Sequence, residues 1–125
     1  MMDKKSLCRI RDTYRAIGQI DMQMRQLFRL NLNEAMMLCT LQEGDMNPGH
    51  LAQTLGITPS SASKIIKRLE NLGFVVRRLA YDDRRSMVVS LTEQGQNKLK
   101  SIACDKINIP SPLSEDGCLF FSSES

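Results

Sequence analysis

Apolar side chains recur at three- and four-residue steps between residues 6 and 30, where Leu7, Ile10, Tyr14, Ile17, Met24 and Phe28 alternate with charged and polar positions. That period belongs to one side of an α-helix, and no proline interrupts it. A helix of about 24 residues is about 36 Å long and outruns a small domain, so a partner chain is expected along it. Two shorter helical segments follow. "EAMMLCTLQE" is expected to be capped by Asn33 and stopped at Gly44, and "MNPGHLAQTLG" carries Asn47 as cap, Pro48 at the first helical position and Gly56 as terminator. Thr58-Pro59 repeats the cap-and-proline device and opens a further helix that runs to about Leu72 and ends at Gly73.

Beyond Gly73 the period changes from helical to alternating. "FVVRRL" and "MVVSLT" are rich in β-branched residues and flank the polar segment "AYDDRRS", which predicts a two-stranded hairpin. Thr92 then caps a last helix, with Leu99, Ile102, Ala103 and Ile107 as its expected buried stripe, until "NIPSP" ends it. Residues 108–125 form a short tail rich in proline and serine, in which Ser114, Glu115 and Asp116 mark either the start of an incomplete final helix or an irregular end.

The predicted fold class is therefore mainly α with a small two-stranded β-wing: a winged helix-turn-helix with flanking dimerisation helices. Its expected boundaries are a domain over residues 6–107, made of a dimerisation helix (6–30), a DNA-binding lobe (33–91) and a C-terminal helix (92–107). A length of 125 residues predicts one core. The longest apolar runs are only a few residues, and "MMDKKSLC" lacks the apolar stretch of a signal peptide, so a cytoplasmic protein without membrane segments is expected.

Charge sharpens this picture through its distribution. The net charge is only +3, but residues 58–90 carry seven basic and three acidic side chains, a local excess of +4. Within the helix that opens at Thr58, Ile65, Ile66, Leu69 and Leu72 form the inward stripe, while Ser60, Ser61, Ser63, Lys64 and Lys67 fall on the other side. Small hydroxyls in a first turn let backbone amides approach a phosphate with help from the helix dipole, and lysines one and two turns on can reach base edges or further phosphates. Arg68 either joins that surface or turns toward Glu70 or another carboxylate. At the hairpin tip, an arginine can enter the minor groove if a carboxylate braces the loop. Asp83 is the expected brace, Arg85 the expected probe, and Arg84 sits beside them. The alternative for each of these residues is a solvated surface charge or an ordinary cap.

Other chemistries find little footing. The one histidine, His50, leaves no paired-histidine metal site, and no nucleophile elbow or phosphate loop is present, so neither an enzyme nor a cofactor or metal is expected. The four cysteines, Cys8, Cys39, Cys104 and Cys118, have no short pair spacing and are read as reduced.

"LAQTLGITPSSASKIIKRLENLGFVVRR" and "DDRRSMVVSLTEQGQ" together resemble the multiple-antibiotic-resistance regulator (MarR) family of bacterial transcription factors, most specifically over residues 51–96, in the Asp-Arg-Arg wing and the Leu-Thr-Glu-x-Gly that follows it. The resemblance implies a homodimer whose first and last helices interlock and whose lobes read a palindrome in double-stranded DNA. Ser60, Ser61, Ser63, Lys64 and Lys67 would be recognition-helix contacts, and Asp83 with Arg85 the wing pair. It also implies a repressor released by a small aromatic or phenolic effector between the long helix and the DNA lobe, or by oxidation of a cysteine such as Cys8. Met22, Met36 and Met37 are expected to fill the core first and to line such a pocket second. The family usually has a longer last helical pair, which Pro110 and Pro112 interrupt here. A different class of reading is a winged helix that serves protein assembly without DNA.

Overall fold

The computed structural model describes residues 2–79, 86–104 and 107–113. The chain divides into two compact units: Met1–Asn31 with Lys106–Ser125, and Leu32–Asp105.

The first unit is built on α1 (Lys4–Phe28). Asp3 opens the helix by accepting the Ser6 amide at 2.8 Å, and Arg29 closes it in the left-handed conformation, its amide returning to the Arg25 carbonyl. The apolar stripe of this helix has two fates. Ala16, Ile20, Met24 and Phe28 are buried, whereas Leu7, Ile10, Tyr14 and Ile17 are exposed, Tyr14 to 79%. Only the C-terminal half of the stripe is covered, in keeping with the expectation that a helix of this length outruns the domain. Within the same unit, the Gln23 side chain is fastened to the backbone of Asn108, donating to its carbonyl at 2.6 Å and accepting its amide at 2.8 Å.

The second unit comprises α2 (Leu32–Gln42), α3 (Pro48–Leu55), α4 (Pro59–Asn71), the antiparallel pair β1 (Val75–Leu79) and β2 (Met87–Leu91), and α5 (Glu93–Cys104). This is the expected fold class, helices with one two-stranded ribbon. α2 packs against α3, α4, α5 and β2, and it is apolar on most sides, as a central helix must be. Met37, Leu38, Leu41, Leu51, Ala62, Ile66, Leu69, Val75 and Val89 are almost fully buried. Cap expectations hold at α3 and α4, where Asn47 accepts the His50 amide and Thr58 the Ser61 amide, each followed by proline in the first turn. At α2 the expectation shifts: the helix begins at Leu32, which places Asn33 inside its first turn.

The ribbon pairs Val75 with Leu91 and Leu79 with Met87 at its ends. A single bridge joins Met46, ahead of α3, to Val89, so the ribbon is tied to the helix-turn-helix on a third strip of backbone that the sequence pattern did not reveal. α5 ends at Cys104. Leu99 and Ile102 are half-buried and Ala103 is exposed, so the expected buried stripe is weaker than its spacing suggested. The tightest contact at this helix is Gly95, where an added Cβ would lie 2.2 Å from the Phe74 carbonyl oxygen. Thr92 completes that junction: its hydroxyl donates to the Gly73 carbonyl at 2.7 Å and accepts the Gly95 amide at 3.0 Å. The Leu-Thr-Glu-x-Gly segment thus locks the exit of the wing onto its entrance.

Candidate nucleic-acid interface

α4 owes its orientation to Ala62, Ile66 and Leu69, which are buried to 1% exposure or less. Ile65 is half-buried and Leu72 exposed, so the inward stripe runs through Ala62 in place of Leu72. A stripe at positions i, i+4 and i+7 leaves the opposite side free. Ser60, Ser61, Ser63, Lys64 and Lys67 are all exposed there. The Ser61 hydroxyl accepts from Thr58 at 3.0 Å, which ties it to the cap and leaves its proton available to another acceptor. Among the described residues Lys64 and Lys67 make no ion pair.

The arginines of the lobe behave differently. Arg68 Nε lies 3.1 Å from Oε2 of Glu34, a carboxylate on the first turn of α2 whose side chain is only 4% exposed. Arg77 on β1 reaches back to Glu70 of α4 at 3.1 Å, and Arg78 pairs with Asp45 ahead of α3 while its Nε donates to the Ser90 hydroxyl at 2.8 Å. Each of these cations is already engaged with a carboxylate. Sequence reasoning left Arg68 open between DNA and a carboxylate and did not identify Glu34 or Asp45. A signal for Glu34 was present, since one acid inside an otherwise apolar helix needs a buried partner; Asp45 and Arg78 stand 33 positions apart, and nothing local links them. Asp83, Arg84 and Arg85 lie outside the described residues.

Alongside α3 an open cleft of about 590 Å³ is lined by Asn47, Gly49, His50, Ala52, Gln53, Ile57 and Pro59, all from the helix-turn-helix itself. Of the methionines expected in the core, Met37 is fully buried, while Met36 and Met22 are exposed to 38% and 61%. Cys8 is a half-buried free thiol and Cys39 an exposed one. Among the described residues no group of acids, histidines or cysteines is arranged to hold a metal ion, and no helix is long and apolar enough to cross a membrane.

This arrangement has close counterparts. Residues 22–86 match the model of the MarR family. The uncharacterised HTH-type transcriptional regulator YfiV of Bacillus subtilis (strain 168) is 31% identical over 84 residues, which cover 67% of this chain and 48% of that protein. The transcriptional repressor MprA of Escherichia coli (strain K12) is 33% identical over 70 residues, 54% of this chain and 40% of that protein. The chain therefore spans half or less of the length of these curated relatives. Among solved structures, CouR from Rhodococcus jostii RHA1 bound to p-coumaroyl-CoA aligns with a TM-score of 0.71 at 25% identity, over 79% of this chain and 70% of that one.

Proposed function

Because this chain belongs to the MarR family, we propose that it is a sequence-specific DNA-binding transcriptional regulator that represses by occluding a palindromic operator as a homodimer. The observation that carries the reading is the exposed side of α4, where three serines and two lysines without carboxylate partners among the described residues stand beside a two-stranded ribbon. Such a helix enters the major groove, with hydroxyls and amides of its first turn on phosphate and Lys64 and Lys67 reaching further phosphates or base edges. In this reading Asp83, Arg84 and Arg85 act at the minor groove, as their resemblance to the family's wing implies.

The homodimer follows from α1. Leu7, Ile10, Tyr14 and Ile17 are an exposed apolar row on a 25-residue helix, and a second copy covers such a row symmetrically. Two recognition helices related by a two-fold axis engage half-sites about 34 Å apart, which raises both affinity and specificity over one lobe. MprA's designation as a repressor supports the direction of regulation, and the acyl-CoA bound by CouR supports a small aromatic effector that releases DNA by changing the disposition of the lobes. The curated relatives are transcriptional regulators, so we read a binding protein that acts in the cytoplasm, with no catalytic step.

Fluorescence anisotropy with duplexes selected from a random library tests this reading. Binding should reach the nanomolar range and weaken steeply as salt rises. Affinity that ignores salt, or that survives Lys64→Ala with Lys67→Ala unchanged, would overturn it.

A further inference from the structure

The cations of α4 divide by what the fold has already given them. Lys64 and Arg68 are one turn apart, and both are exposed at the helix surface. Lys64 has no ion-pair partner among the described residues, whereas Arg68 is held 3.1 Å from a carboxylate that is 96% removed from solvent. We propose that Arg68 is a positioning residue: the Glu34–Arg68 pair sets the rotation of α4 on α2, and Arg68 does not itself neutralise a phosphate. This rests on the DNA-binding reading above and concerns how that surface is aimed.

Two physical arguments support it. Drawing Arg68 onto a phosphate would take a charge-assisted partner from a carboxylate as deeply buried as Glu34. That exchange is unfavourable even next to a polyanion. Secondly, the apolar contacts of Ala62, Ile66 and Leu69 hold α4 close to the lobe but are non-directional, so they fix its distance better than its rotation. A charge-assisted hydrogen bond to guanidinium Nε is directional. It acts at the same end of the helix as Glu70, which Arg77 holds from β1 at 3.1 Å. The C-terminal end of α4 is thus tethered both to α2 and to the ribbon, while its first two turns are left bare for a ligand.

The test compares the unchanged chain with Glu34→Gln, Arg68→Gln, the double variant and Lys64→Ala. Two duplexes serve as probes: one selected by the unchanged protein from a random library, and a scrambled version of it. Titrations are run over a salt series, well below the melting temperature found for each variant by circular dichroism. Glu34→Gln should lower affinity for the selected duplex about tenfold, comparable to one mismatched base pair, and leave binding of the scrambled duplex and the salt slope unchanged. Arg68→Gln should do the same, and the double variant should be no worse than either single one, because both changes break the same Glu34–Arg68 contact. Lys64→Ala should reduce the salt slope by about one.

If Arg68→Gln unfolds the lobe by taking the guanidinium from the buried Glu34 carboxylate, the double variant, which removes both charges, carries the comparison. The proposal is overturned if Arg68→Gln, or the double variant in its place, lowers the salt slope by about one, or if Glu34→Gln binds the selected duplex as the unchanged chain does. Should the unchanged chain enrich no duplex at any salt, the DNA-binding reading itself fails and this proposal falls with it.

Discussion

The two units of the chain carry similar apolar stripes and come to different ends. In the lobe of residues 32–105, α2 and α4 turn their apolar sides onto each other and onto the ribbon, and Leu38, Leu51, Leu69 and Val89 are fully buried. On α1 the stripe is covered from Ala16 to Phe28 and bare from Leu7 to Ile17, apart from Ala16 itself. The inward rows of α2 and α4 are covered, whereas the row on the first half of α1 is bare. A periodic stripe therefore states that a helix has something to bury without stating whether its own chain supplies the cover.

That contrast can be broken most forcefully from the lobe side. Leu38→Ala deletes a fully buried side chain from the central helix and should cost about 3 kcal/mol, read as a lower urea midpoint. A lobe that tolerates the change without loss would not have the covered inward rows described. Gly95→Ala comes next, at about 2 kcal/mol, because its methyl group meets the Phe74 carbonyl and Leu91 Cδ1 where little can yield. Its effect should exceed that of Gly18→Ala on α1, where an added Cβ meets nothing within 4 Å and alanine is the better helix former.

From the other side, Ile10→Lys with Ile17→Lys should change lobe stability by less than about 0.5 kcal/mol, since both positions are exposed. Light scattering should show the same pair of changes converting a dimer to a monomer. A dimer that persists would place the interface elsewhere. The smallest effect concerns the start of α1. Accepting the Ser6 amide holds the Asp3 carboxyl below the ordinary carboxylate range. A depressed folded pKa means that the cap's contribution is complete above about pH 4, the unfolded value, and is lost as pH falls through the folded one. Asp3→Asn, which keeps an acceptor without a titrating charge, should remove that acid-induced fraying in hydrogen exchange of the first-turn amides.

Legibility followed the range of the interaction. Asn47 and Thr58 were readable as caps because a cap is settled by its own residue and the amide three positions on. The change to alternating β-branched residues after Gly73 located the ribbon for the same reason, and the bare side of α4 followed from the expected stripe, in which Ile66 and Leu69 are buried although Ala62 takes the place given to Leu72. Asn33 misled because "NLNE" holds two asparagines and either could begin a helix; the structure starts α2 at Leu32. The spacing of Leu7 and Tyr14 placed them on an apolar stripe but not which half of it the chain covers.

What the sequence alone determined was the order and kind of the elements, the caps of α3 and α4, and which side of α4 carries hydroxyls and lysines, since all of these depend on contacts within one turn or one alternation. Only the tertiary structure decided which apolar rows are covered and which cations are committed. Glu34 meets Arg68, Asp45 meets Arg78 and Met46 meets Val89 because folding carries distant stretches of chain to within bonding distance. Spacing along the chain encodes rotation about a helix; it does not encode what stands on the other side.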